Sequence, residues 1–218
     1  MKVGTDSVLL GAWAPAQGVT AVLDVGTGTG LLALMLAQRV PHAAIDAIDI
    51  DDDACQQAAM NFSASAWSDR LSIFRTTIQA FRSARLYDLI ICNPPYFQSG
   101  PRSGNSARRT ARHDDSLTLP ELVAAVQRHL TADGRFCLIL PADQKEAFEA
   151  SARTVGLTCI RFRRVRPGPQ LPPKRVLLEF AAESHRSVVE EPVMMVELSR
   201  HEYAPDYVIL AKEFLLKM

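Results

Sequence analysis

The chain has 218 residues, a length that suits one α/β domain with a full hydrophobic core, and its formal net charge is zero. Zero net charge gives no support for a nucleic-acid partner, but it does not exclude one, since local basic patches and not the total charge form a binding face. The four cysteines (Cys55, Cys92, Cys137, Cys159) have no CxxC spacing. This pattern favours reduced core thiols of a cytoplasmic protein over a disulfide framework or a zinc site.

Apolar runs alternate with helical segments along the first part of the chain. Thr5-Asp6-Ser7 is expected to cap a short helix that Pro15 stops. The elements predicted after it are strands at 21–25, 44–50, 71–75 and 87–92, with helices at 31–39 and from 51–53 to about 66. No apolar run reaches membrane-spanning length.

The second part of the chain follows a polar loop at 98–116. Asp133-Gly134 is expected to close a helix at 119–130. Further predictions are a strand at 135–140, a helix at 144–155, an antiparallel hairpin of strands at 158–165 and 175–180, a strand at 193–198 and a helix at 206–218. The alternation predicts a doubly wound, mostly parallel, seven-stranded Rossmann-like sheet with an antiparallel hairpin edge, in a single domain spanning 1–218.

A glycine-rich turn, Asp24-Val25-Gly26-Thr27-Gly28-Thr29-Gly30, follows the first predicted strand. Alternate glycines let the backbone turn sharply and approach a ligand, at a junction where open α/β sheets bind ligands. Asp24 is placed to accept from a ligand ammonium, and Asp49, at the end of the second strand, from ribose hydroxyls. The GxGxG spacing behind an acidic residue favours S-adenosylmethionine (SAM) over NAD.

The fourth predicted strand ends in Asn93-Pro94-Pro95-Tyr96-Phe97. Proline has no N–H for the sheet and keeps the residue before it extended, so we expect a rigid turn. The Asn93 side-chain oxygen and the Pro94 carbonyl can accept both hydrogens of a planar amine, while Tyr96 stacks on its ring and Phe97 supports that stack. This combination indicates methylation of an amine conjugated to a π system.

Together these motifs make the chain similar to the class I SAM-dependent methyltransferases, whose amino-methylating members carry Asn-Pro-Pro-Tyr after the fourth strand. Met1–Asp6, Leu9–Ala14 and Arg175–Phe180 narrow the resemblance to the bacterial tRNA(Val) (adenine-N6)-methyltransferases. Members of that family carry a few tens of residues before this opening segment, which suggests that Met1 is an internal methionine.

The resemblance implies a division of roles among the motif residues. Catalysis is assigned to Asn93, Pro94, Pro95 and Tyr96. Cofactor binding is assigned to Thr5, Asp6, Asp24, Gly26, Gly28, Gly30, Asp49 and Asn93. Thr77 stands where family members carry an acidic residue for the cofactor adenine, so adenine recognition falls to Thr77, Ile78 or backbone groups.

Two stretches of sequence are basic and lack acidic residues. The loop contributes Arg102, Arg108, Arg109 and Arg112, and the hairpin contributes Arg164, Arg166 and Lys174 among others. Such patches can bind tRNA phosphates. The alternative is that carboxylates elsewhere in the fold balance these charges. No metal site is expected, because adjacent polar residues such as His113-Asp114-Asp115 rarely all face one ion.

The sequence therefore predicts SAM-dependent N6-methylation of an adenosine in tRNA, next to the anticodon of a valine tRNA. Other enzymes that share Asn93–Tyr96 act on ribosomal RNA guanine N2, a protein glutamine amide or DNA adenine. A non-catalytic SAM- or RNA-binding module is a further alternative, which an intact Asn-Pro-Pro-Tyr turn disfavours.

Overall fold

The computed structural model describes residues 4–94, 117–182, 187–200 and 202–215, most of which pack on one large sheet. The helices are α1 (Thr5–Trp13), α2 (Leu31–Arg39), α3 (Asp52–Ser63), α4 (Leu119–His129), α5 (Lys145–Arg153) and α6 (Pro205–Ala211). The strands are β1 (Ala21–Val25), β2 (Ala44–Asp49), β3 (Leu71–Arg75), β4 (Tyr87–Cys92), β5 (Leu130–Pro141), β6 (Leu157–Arg166), β7 (Arg175–Ala182), β8 (Val189–Met195), β9 (Glu197–Ser199) and β10 (Glu202–Tyr203).

Within these ranges the main sheet has eight strands in the order β3-β2-β1-β4-β5-β7-β6-β8. Strands β1 to β5 run parallel, and β7 lies antiparallel between β5 and β6. The predicted doubly wound fold with an antiparallel hairpin is confirmed. β8 pairs in parallel with β6 and adds one strand to the seven expected.

The sheet is covered by helices on both faces, as its strand sequences require. In β4, Leu89 and Ile91 join one core cluster, which α1, α2, α3 and α6 cover. Ile90 and Cys92 point to the other cluster, covered by α4 and α5. Because successive strand residues alternate between faces, a strand buried on both sides is apolar throughout.

Several boundaries differ from the sequence-based expectation. The N-cap of α1 is Gly4, and Thr5, Asp6 and Ser7 lie inside the helix, so the expected Thr5-Asp6-Ser7 cap is wrong. Asp133-Gly134 does not close α4; it lies in β5, where the register against β4 shifts. The strand expected at 193–198 is instead divided between β8 and β9, and α6 ends earlier than expected, at Ala211. No helix in the described ranges is both long and apolar enough to cross a bilayer.

Gly30 is the N-cap of α2 and has a left-handed backbone conformation. It also packs closely against Phe62, so that a larger residue would not fit. Its φ is 83°, and a Cβ built there lies 2.4 Å from Cε1 of Phe62. We expect Gly30→Ala to lower the free energy of unfolding by about 2–4 kcal/mol, the sum of left-handed strain and overpacking. Gly18→Ala, with φ of 74° and open space around it, should cost only the left-handed strain, about 1–2 kcal/mol. Equal losses in urea denaturation would contradict the packing role.

Candidate active site

The candidate site lies where the order of the strands reverses. β1 pairs with β2 on one side and β4 on the other, with Val25 opposite both Ile48 and Cys92. Open α/β sheets bind ligands in the crevice at such a switch point, at the carboxyl ends of the strands. Gly26 and Asn93 directly follow Val25 and Cys92, so both predicted motifs border this crevice.

The glycine turn is fixed to the end of β2. The backbone N–H groups of Gly26 and Thr27 both donate to the Ile48 carbonyl, at 2.9 and 3.0 Å. Gly26 and Gly28 have φ of 70° and 58°. A Cβ at Gly26 would meet no atom within 4 Å in the described structure. The backbone at Gly26 is therefore open to a ligand, whereas Gly30 approaches Phe62 on α3.

Asp49 holds the glycine turn while keeping capacity to accept further hydrogen bonds. Its Oδ2 accepts from the Gly28 N–H at 2.8 Å and its Oδ1 from the Asp51 N–H at 3.0 Å. A carboxylate has about four acceptor positions, so each oxygen can take one more donor. The half-buried Asp49 is thus oriented by the backbone and suited to a pair of hydroxyls.

Asp24 lies beneath the glycine turn and is fully buried. Its Oδ2 accepts from Thr27 Oγ1 at 2.5 Å and from the Ala33 N–H at 3.1 Å, which ties β1 to α2. The Thr27 hydroxyl therefore points inward, toward Asp24, and not into the crevice. Oδ1 of Asp24 is buried and accepts from no donor among the described residues. Burial raises the pKa of Asp24 to about 7.

The end of β3 was predicted to receive the cofactor adenine. Oγ1 of Thr77 accepts from the Ala80 N–H at 3.1 Å, so this side chain also stabilises its own turn. Ile78 is buried in the core, and only 3% of its surface is exposed. Ile50, directly after Asp49, is 55% exposed and offers apolar surface at the same edge. Ile50 was predicted to be the last residue of the buried strand, but β2 ends at Asp49, so the exposure of Ile50 was not expected.

The Asn93 side chain is half-buried at the end of β4 and contacts α1. Its Nδ2 donates to Oγ of Ser7 at 3.0 Å, while Oδ1 accepts no hydrogen bond from the described residues. Pro94, which follows, is buried. Pro95, Tyr96 and Phe97 lie outside the described residues, so their predicted roles remain predictions.

The first turn of α1 reaches from Asn93 to the start of β7. Oδ2 of Asp6 accepts from Nε of Arg175 at 2.8 Å. A cavity of about 400 Å³ adjoins this contact, lined by residues that include Thr5, Asp6, Leu9, Val165, Lys174 and Arg175. Arg175 pairs with Pro141, the last residue of β5, so the cavity lies at the carboxyl edge of the sheet. That Thr5 and Asp6 close over the cofactor remains a prediction.

The hairpin arginines are largely balanced by carboxylates from other elements. Arg164 forms an ion pair with Glu190 of β8, and Arg161 pairs with Glu179 of β7 at 2.6 Å. No carboxylate among the described residues forms an ion pair with Arg166 or Lys174, and Lys174 is exposed. The loop arginines, Arg102, Arg108, Arg109 and Arg112, lie outside the described residues.

The buried Asp24 predicts a particular pH dependence of stability. Its pKa of about 7 exceeds the value of about 4 in an unfolded chain, so the folded state binds more protons between these values. The free energy of unfolding should therefore fall as pH rises from about 4 to 7, by up to about 1.4 kcal/mol per pH unit. Asp24→Asn should remove this contribution, as urea denaturation at pH 4.5, 5.5 and 6.5 would show.

Asp88→Asn is the control, because the contribution of Asp88 to the free energy of unfolding should depend on pH in the opposite direction. Burial raises the pKa of Asp88, but hydrogen bonds from Thr20 and Ala21 outweigh it and hold that pKa below its usual value. The stabilisation of the folded state by Asp88 should therefore be lost as pH falls. Parallel pH profiles for the wild-type protein and Asp24→Asn would contradict the account of Asp24.

Comparison with known proteins identifies the family. A family model described as methyltransferase small domain matches residues 3–151. The tRNA1(Val) (adenine(37)-N6)-methyltransferase of Parabacteroides distasonis is 43% identical over 223 residues, covering 100% of this chain and 92% of the relative. The enzyme of that name in Trichodesmium erythraeum is 39% identical over 221 residues, with the same coverage.

Solved structures support the fold. A predicted O-methyltransferase from Agrobacterium tumefaciens superposes with a TM-score of 0.73 at 16% identity, covering 95% of this chain and 96% of its own. A ribosomal protein L11 methylase from Lactobacillus delbrueckii subsp. bulgaricus gives 0.58 at 18% identity, covering 82% and 77%. By its sequence relatives and its domain match, the chain belongs to the tRNA1(Val) (adenine(37)-N6)-methyltransferase family.

Proposed function

We propose that this chain transfers a methyl group from SAM to the N6 amine of an adenosine in tRNA, next to the anticodon of a valine tRNA. The observation that carries the proposal is the Asn93 side chain at the switch point, with Nδ2 donating to Ser7 and Oδ1 accepting no hydrogen bond from the described residues. Family membership favours tRNA over ribosomal RNA, protein and DNA acceptors, because the relatives are named as methyltransferases of adenine in a valine tRNA.

The residues at the ends of β1 and β2 fit SAM. Gly26 leaves room for close backbone approach, and Asp49 keeps acceptor positions suited to the ribose hydroxyls. Oδ1 of Asp24, which accepts from no donor in the described part of the chain, suits a nearby ammonium. Ile50 adds exposed apolar surface on which an adenine ring can pack. When bound, SAM supplies a methyl group on a positively charged sulfur.

The chemical task of the protein is to activate a weak nucleophile. The lone pair of the adenine N6 is delocalised into the ring. If Oδ1 of Asn93 and the carbonyl of Pro94 accept its two hydrogens, the nitrogen pyramidalises and regains electron density. The same acceptors stabilise the positive charge that develops on nitrogen, so positioning and electrostatics suffice without an obligatory side-chain base. The nitrogen loses one proton to water after transfer.

Product analysis tests the proposed function, and Asn93 supplies the decisive variant. Wild-type protein incubated with methyl-labelled SAM and unmodified tRNA should yield labelled N6-methyladenosine. Asn93→Ala should lower the single-turnover rate about 100-fold, the scale for loss of one preorganised polar group. SAM affinity in calorimetry should fall far less than the rate, because the glycine turn and Asp49, which are untouched, supply the other cofactor contacts. Label in another nucleoside, or wild-type turnover by Asn93→Ala, would overturn the proposal.

Lys174 is the described cation best placed to meet RNA phosphate. It is exposed beside the cavity at the carboxyl edge, next to the Asp6–Arg175 ion pair. Lys174→Glu should weaken tRNA binding and reduce its salt dependence, because one phosphate contact is lost. Arg153→Glu is the matched control, since Arg153 is exposed at the end of α5, ahead of the amino end of β6. Equal effects in filter binding at two salt concentrations would contradict a localised RNA face.

A further inference from the structure

The contact between Ser7 and Asn93 joins the first helix to the catalytic turn. Oγ of Ser7 lies 3.0 Å from Nδ2 of Asn93, although 86 positions separate the two residues in the chain. From this contact we infer that Ser7 is a positioning residue, which holds the Asn93 amide with its oxygen toward the target amine. The inference rests on the proposed function, because it assigns Asn93 the role of acceptor.

An asparagine at this position needs such a partner. The two ends of a side-chain amide have nearly the same shape, and rotation about χ2 is broad, so the backbone alone does not fix which end faces the crevice. With the ends exchanged, the NH₂ group would face the amine of the substrate, and two donors would oppose each other. A hydroxyl can donate as well as accept. In this structure the Ser7 hydroxyl accepts from Nδ2, which leaves Oδ1 directed away from α1.

The Ser7 hydroxyl is available for this task because it does not cap the helix. α1 begins at Thr5 with Gly4 as its N-cap, so Ser7 lies inside the helix and not at the capping position. Ser7 is half-buried, in the first turn of α1. The residue that sequence reasoning placed in a cap therefore contacts the catalytic amide instead.

α1 is a rigid base for Ser7. Six consecutive residues from Val8 to Trp13 are buried. At Gly11 an added Cβ would lie 2.8 Å from Sδ of Met35, so α1 packs closely against α2. Nη1 of Arg39 donates to the carbonyls of Gly11 and Ala14, each at 2.7 Å, which satisfies the C-terminal end of the helix.

Further contacts hold both ends of α1 against the hairpin side of the sheet. The guanidinium of Arg161 lies 3.8 Å from the centre of the Trp13 ring, and Nε1 of Trp13 donates to Glu191 at 2.9 Å. At the other end, Asp6 accepts from Arg175. A functional side chain is positioned best by a partner whose own place is fixed in this way.

Single-turnover kinetics on unmodified tRNA test the inference. Ser7→Ala should lower the methyl-transfer rate about tenfold, the effect of one neutral hydrogen bond. Ser7→Thr, which keeps a hydroxyl, should restore most of the rate. SAM affinity, tRNA affinity and melting temperature should stay close to wild type in both. Ser63→Ala is the matched control, because that serine is exposed at the end of α3 and donates to its own helix.

A double-mutant cycle separates positioning from a general structural effect. If Ser7 acts through the Asn93 amide, Ser7→Ala should cost nothing further in the Asn93→Ala background. The same tenfold loss in both backgrounds, or a wild-type rate for Ser7→Ala, would overturn the inference while leaving the proposed function intact. A wild-type protein that methylates no tRNA would instead overturn the proposed function, and the inference with it.

Discussion

The parallel pairing of β1 with β4 is the constraint on which the candidate site depends. It sets Val25 opposite Cys92, so that the glycine turn and Asn93 emerge side by side from strands about 4.8 Å apart. β2 and β3 lie on one side of this pair and β5 on the other, which makes the junction of β1 and β4 the switch point of the sheet. A methyl donor bound at the end of β1 and a methyl-accepting amine bound at the end of β4 then meet without any movement of the sheet.

Two carboxylates next to the glycine turn, Asp49 and Asp24, have different roles because their environments differ. Asp49 is half-buried and uses one acceptor position on each oxygen to orient the backbone, which leaves others for a ligand. Asp24 is fully buried and fastens the turn to α2 through Ala33. Burial shifts the pKa of Asp24 toward neutrality, so its ionisation depends on whether a charged group is bound at the glycine turn. A bound cation there would favour the ionised form.

Much of the fold and the outline of the site could be predicted from sequence, because the decisive signals are local. The glycine turn, the strand before Asn93 and the 3.6-residue periodicity of the helices each depend on neighbours in the chain. What sequence could not supply were contacts between distant segments. The carboxylates that balance the hairpin arginines come from β7, β8 and α6, and the partner of Asn93 comes from the first helical turn.

The central claim is that the Asn93 oxygen meets the N6 amine of a tRNA adenosine at the switch point. A crystal structure with S-adenosylhomocysteine and a valine anticodon stem-loop tests it most directly. The account predicts Oδ1 of Asn93 within about 3.2 Å of adenine N6, with Nδ2 still donating to Ser7. An Asn93 oxygen turned toward Ser7, or a base other than adenine at the turn, would contradict it.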